Sequence, residues 1–223
     1  MLPIKSTNTI PIKPHSVVFG PAKSGKTRLI PTLEAPLICS VDKGLESIRQ
    51  HDIPCVDCDT WDHVAAFNQF VYSDSAEKKK YREFVYDDLT EAAGLYLVKC
   101  LLANKDGRKA YGQMGEEMMY FFRAIRKQTE HTVVLICKEE RIQNNKGELL
   151  YSPMLPGQSL QSQVPYMFGQ VYHTELWTDP STQQNHEVLR CKRNQQIQAG
   201  DRSGKLAEIE FADLGAINRK IMS

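Results

Sequence analysis

The sequence predicts an α/β domain: a mostly parallel sheet flanked by helices, with an antiparallel hairpin extension at its C-terminal end. Three observations predict it. Short continuous apolar runs alternate with helix-compatible segments over the first 140 residues, as buried parallel strands and their crossovers require. Thr132-Val133-Val134-Leu135-Ile136-Cys137 is β-branched and apolar throughout, the composition of a central strand. Beyond it the pattern changes to strand pairs joined by turn residues.

Residues 1–14 are polar and hold three prolines, which predicts an extended leader before a single domain spanning 15–223. Val17-Val18-Phe19 forms the first strand, and the helix-compatible Thr27-Arg28-Leu29-Ile30 follows the loop after it. Pro36 to Val41 is a second buried strand, bounded by Asp42-Lys43-Gly44, with a short helix from Gly44 to Ile48. Ile53 to Val56 fits another short strand, and Thr60 suits the N-cap of a helix whose Val64, Phe67 and Val71 share one face. Tyr81 to Asp88 is a strand ending in two carboxylates. Leu89 to Ala103 is helical by composition, Asn104 to Lys109 is a polar, basic break, and Glu116 to Thr129 forms a helix with Met118, Met119, Phe122 and Ile125 inward. Asn144-Asn145-Lys146-Gly147 is a hairpin-type turn. A short helix fits near Leu160, strands fit Val171 to Trp177 and Glu187 to Lys192, and a closing helix fits Asp213 to Ile221.

The chemistry is concentrated at Gly20-Pro21-Ala22-Lys23-Ser24-Gly25-Lys26-Thr27, which satisfies G-x-x-x-x-G-K-[ST] directly after a strand. In such a P-loop the glycines let successive backbone N–H groups surround a phosphate. Lys26 then reaches the β- and γ-phosphates, the Thr27 hydroxyl ligates Mg²⁺, and Arg28 closes the cofactor-binding run. A matching metal-side acid belongs at the end of a strand beside the P-loop strand. Asp87 is the candidate, with Asp88 as the second.

With 28 Lys and Arg against 27 Asp and Glu, the net charge is +1, which excludes a global polycationic field for nucleic acid and leaves local patches. Two such patches stand out. Lys105, Arg108 and Lys109 lie next to Tyr111, joining phosphate neutralisation to a stacking surface, and Arg141 and Lys146 bracket the segment after the central strand. No base-reading motif accompanies them. No stretch is long and apolar enough for a bilayer, and the start lacks a signal-type apolar run, so the expected location is the cytoplasm, with no membrane partner. Six Cys are then expected as reduced thiols. Cys55-Val56-Asp57-Cys58, flanked by His51 and His63, carries a competing zinc reading, weighed against the strand slot that Ile53 to Val56 fills.

In their order, these pieces resemble the small phage ATPases of the RecA-like superfamily, AAA-domain nucleotide-binding proteins that include single-strand-annealing recombinases. The matching stretches are Val41-Asp42-Lys43-Gly44-Leu45-Glu46, Asp87-Asp88-Leu89-Thr90, Tyr111-Gly112-Gln113-Met114-Gly115, Leu155-Pro156-Gly157-Gln158-Ser159-Leu160 and Gly200-Asp201-Arg202. The resemblance implies a RecA-like core using ATP and Mg²⁺, a homo-oligomer forming a ring or filament, single-stranded DNA and a single-stranded-DNA-binding protein as partners, and a phage-infected host's cytoplasm. It also implies roles. Asp42 takes the place of a glutamate that polarises the attacking water, one methylene shorter, and Arg202 stands where a cation reaches a neighbouring subunit's γ-phosphate. Two other functions fit a P-loop: a small-molecule kinase, which needs an arginine-rich lid, and a nucleotide-gated assembly or loading protein without significant turnover.

Overall fold

The computed structural model describes residue 4 and residues 6–9, 13–143 and 147–223. Its centre is β1 (Ser16–Gly20), all five residues of which are buried. The chain then runs through a 3-10 helix (Thr27–Thr32), β2 (Pro36–Ser40), a 3-10 helix (Leu45–His51), β3 (Cys55–Asp57) and α1 (Trp61–Tyr72). It continues through β4 (Glu83–Asp87), α2 (Leu89–Ala103), α3 (Gly107–Lys127), β5 (Thr132–Gln143) and β6 (Leu149–Pro153). The last third comprises α4 (Gln158–Met167), β7 (Gln170–Thr178), β8 (Asn185–Arg190), β9 (Gly200–Asp201), β10 (Ile209–Phe211) and α5 (Leu214–Met222).

Among the described residues the strands form one sheet in the order β10-β8-β7-β1-β5-β4-β2-β3, with β6 on β5 and β9 on β7. The run from β3 to β7 is parallel, and β8, β10, β6 and β9 pair antiparallel. This is the α/β arrangement expected, with helices on both faces. Side chains alternate along β1: Val17 and Phe19 face the layer of α1 to α4, while Val18 meets Ile30 and the apolar face of α5.

One expectation about order fails. The strand carrying the metal-side acid is not beside the P-loop strand, because β5 lies between β4 and β1. The continuously apolar run Val133 to Cys137, at most 1% exposed, fills the place between them, as suits a strand covered on both faces.

Local departures have local causes. The segment after the P-loop is a six-residue 3-10 helix rather than the start of an α-helix, because Pro31 lies inside it and lacks an N–H. The predicted basic break shrinks to 104–106, since Asp106 caps α3 through the Arg108 N–H at 2.9 Å and the helix starts at Gly107. Gly112 and Gly115 fall inside α3, where burial of Ala110, Met114 and Met118 outweighs a cost of about 1 kcal/mol per glycine. β5 runs on past Cys137 because its outer half pairs with β6, from Glu139 opposite Pro153 to Gln143 opposite Leu149. The turn predicted at 144–147 lies, but for Gly147, outside the described residues.

Leu135 is fully buried in β5, against the α-helical layer. Leu135→Ala is expected to lower the unfolding free energy by about 2–5 kcal/mol in a urea titration.

Candidate phosphate and metal site

The loop between β1 and the first 3-10 helix stands at the carboxyl ends of β4, β5 and β1, where a parallel sheet places its ligands. Its first glycine is required by crowding: a Cβ on Gly20 would lie 1.9 Å from Thr174 Oγ1. Gly25 is required twice, by φ of +85° and by the Glu187 carboxylate 2.8 Å from where a Cβ would sit. Residues 20–28 line one cleft of about 620 Å³ together with Asp42, Asp87, Asp88, Lys138, Glu139 and Met154.

Within it Lys26 Nζ donates to the carbonyls of Gly20 (3.0 Å) and Pro21 (2.7 Å), curling over its own loop. Burial lowers its pKa, opposed by the charges of Asp88, Asp87 and Glu139. Thr27 Oγ1 donates to Asp87 Oδ2 at 2.9 Å. Asp87 is 2% exposed, and burial, joined by the nearby Asp42 charge, pushes its pKa up to about 7. Asp88 is raised to about 6, again mainly by burial, but its Oδ1 already accepts the Glu91 N–H at 2.7 Å as the N-cap of α2. Asp87 is thus the acid left available to a cation. A hydroxyl and a carboxylate crowded by other carboxylates form a hard-oxygen donor set, which fits Mg²⁺ completed by water and phosphate oxygens.

The other expected residues are dispersed. Asp42 is exposed on the cleft rim, its Oδ1 accepting the Gly44 N–H at 3.0 Å. Arg28 is paired with Glu187 of β8. Arg202 does not reach the P-loop of its own chain: its Nη2 donates to the Tyr166 carbonyl at 3.3 Å, in a separate hollow beside α4 and β9. Lys105, Arg108, Lys109 and Tyr111 are exposed, but Arg108, Lys109 and Tyr111 sit on the first turns of α3, not on a loop. Arg141 lies in β5 with its guanidinium 5.4 Å from the Tyr151 ring centroid, and Lys146 is outside the described residues. Cys58 is buried with its Sγ 3.2 Å from Cys39 Sγ, whereas Cys55 is exposed on β3. The C-x-x-C pair is therefore split between interior and surface.

Sequence reasoning missed Lys138, Glu139, Thr174, His173 and Glu187. Lys138 and Glu139 had a signal, since they follow the most strand-like run in the chain and so stand at a strand's carboxyl end. The other three reach the loop only through pairing of β7 with β1 and β8 with β7, and nothing local announces them.

Because the folded-state pKa of Asp87 is raised, the metal-free native state holds that proton more tightly than the unfolded chain. The group's contribution to stability therefore falls as pH rises from about 4 to about 7. Asp87→Asn is expected to raise the melting temperature of the metal-free protein at pH 8 and to flatten that pH dependence, as read by thermal melts between pH 5 and 8.

Among solved structures, a KaiC-like protein from the hyperthermophilic archaeon Pyrococcus horikoshii OT3 is similar at 11% identity, over 79% of this chain and 77% of that one, with a TM-score of 0.45. No curated protein matches the chain in sequence. A family model described as an AAA domain matches residues 12–203, from just before β1 to just after β9. The chain belongs to the AAA-domain family.

Proposed function

We propose that this protein binds ATP with Mg²⁺ through Lys26, Thr27 and Asp87, hydrolyses its β–γ bond, and acts as a homo-oligomer on single-stranded DNA in phage recombination or annealing. The observation that carries the nucleotide part is the P-loop at the tip of β1 with its Thr27 hydroxyl bonded to buried Asp87. Bound there, Mg²⁺ neutralises charge on the phosphate oxygens. Lys26 exchanges two neutral carbonyl partners for anionic ones, a stronger class of hydrogen bond.

Two carboxylates of the cleft are free of metal and capping duties, Asp42 and Glu139. Asp42 is the water-side acid that the sequence offers. Arg202, away from its own P-loop, is assigned to a neighbouring subunit's γ-phosphate. For DNA, the support is exposed positive charge next to an aromatic ring: Lys105, Arg108, Lys109 and Tyr111 at the start of α3, with Arg141 at the outer half of β5.

Lys26→Ala is expected to reduce ATP turnover to background and to abolish binding of a fluorescent nucleotide, and full turnover in that variant would remove the P-loop from the reading. The double variant Arg108→Ala, Lys109→Ala should weaken single-stranded DNA alike for all sequences and lower the slope of log affinity against log salt by about 1–2. An unchanged slope in a salt series would count against the α3 patch.

A further inference from the structure

The carboxylates that border the phosphate cleft differ in how they are held. Asp88 caps α2, and Asp42 is exposed on the far side, after β2. Glu139 stands on β5, the strand directly beside β1, and its side chain is only 11% exposed. Its Oε2 lies 2.6 Å from His173 Nε2 on β7. His173 is itself fixed from several sides. Its ring packs against Phe19 at 4.9 Å between centroids, and its Nδ1 lies 3.0 Å from Glu175 Oε1. Arg190 then grips both oxygens of Glu175, at 2.7 and 3.0 Å, and reaches Glu208 beyond.

This chain of contacts from β8 through β7 to β5 ends on one carboxylate in the phosphate cleft. Neither phosphate binding nor the metal pair uses it. A histidine that holds a carboxylate, and is itself oriented by a second carboxylate, fixes direction in the way a catalytic base needs. Glu139 also lines the same cleft as Lys26, whose ammonium feels its charge together with those of Asp88 and Asp87. Among the described residues only His173 hydrogen-bonds the Glu139 carboxylate, which leaves Oε1 for a water molecule. Asp42, in contrast, is exposed to solvent, and among the described residues its carboxylate accepts only the backbone N–H of Gly44, with no side-chain partner to aim it.

We propose that Glu139, rather than Asp42, accepts the proton of the attacking water, and that His173 is the positioning residue that aims it; this rests on the hydrolytic reading above. As the water oxygen bonds to the γ-phosphorus, the bond from that phosphorus to the β–γ bridging oxygen breaks. One water proton passes to the Glu139 carboxylate, and ADP and inorganic phosphate result.

The test is steady-state ATP turnover and fluorescent-nucleotide affinity on the full chain with ATP and Mg²⁺, with melting temperatures as a check on folding. Glu139→Gln is expected to lower kcat by about 10²-fold or more while nucleotide affinity stays within about twofold. Glu139→Asp keeps the charge but shortens the reach, and should lose about tenfold in kcat; it decides the matter if Glu139→Gln does not fold. His173→Gln should lower kcat by about tenfold with KM unchanged, a split that general loosening of the fold would not give. Asp42→Asn should lower kcat by less than Glu139→Gln does, and the reverse order overturns the proposal. A folded Glu139→Gln with wild-type kcat overturns the proposal, as does a parallel loss of kcat and affinity. Turnover abolished by Lys26→Ala but kept in Glu139→Gln sinks this inference alone. A wild-type protein that binds ATP without turning it over sinks the hydrolytic reading and this inference with it.

Discussion

The pairing of Phe19 with Cys137 on one side and His173 on the other is the constraint on which the rest of the site depends. All three are at most 7% exposed, so the row is fixed by core packing. Because strand side chains alternate, fixing this row fixes the next, which sets Gly20 opposite Lys138 and close against Thr174. From there the loop is held without further choice. Thr174 Oγ1 occupies the space a side chain at position 20 would need, and also meets Ser24 Oγ at 2.6 Å, tying the crown of the loop to β7. A register slip by one residue would put Thr174 on the other face and leave the loop unsupported.

The C-terminal strands are consequently a wall of the site. The sequence predicts them as an extension, and in topology they are one. Yet β7 is the parallel neighbour of β1, and β8 brings Glu187 to Gly25 and Arg28. Residues 150 and more positions apart in the chain, such as Ser24 and Thr174, define a single loop conformation. The N-terminal half carries the phosphate-binding motif, but the C-terminal half holds its shape.

What was legible in the sequence follows this division. The P-loop, the acids at 87 and 88, the Thr60 cap of α1 and the central strand from Thr132 could each be read from neighbours in the chain, since glycines, caps and apolar runs act over a few residues. Where tertiary burial overrode local preference, the reading failed: the polar, basic break expected from Asn104 to Lys109 gives way at Gly107 to a helix that buries Met114 and Met118, and the outer half of β5 is a strand only because β6 pairs with it. The place of β4 one strand away from β1 could not be read at all, because β1, β4 and the inner half of β5 are buried alike and strand order is set by pairing between segments distant in the chain. His173 is the clearest case. In the sequence it is one of six histidines with no motif around it, and only the parallel alignment of β7 with β1 sets it beside Phe19 and within reach of Glu139.

The electrostatics of the cleft run against the stability of the empty fold. Asp42, Asp87, Asp88 and Glu139 converge on Lys26 and Lys138, and burial, joined by the charges of neighbouring carboxylates, raises the two central acids well above the usual carboxylate range. Lys26 adds to the strain, since burial lowers its pKa while its partners are neutral carbonyls. A fold optimised only for stability would replace these groups with apolar ones, as in the two hydrophobic layers immediately beneath. Their place at the carboxyl ends of the central strands accords with the proposed ligands, a cation and an anion that would compensate each other and the site together. Glu139 fits this logic differently from the others, because one of its oxygens already has a hydrogen-bonding partner in His173, which sets its orientation. A carboxylate satisfied on one oxygen, aimed by a packed ring and left open on the other, does not need a ligand to be stable, and so is placed to act on one.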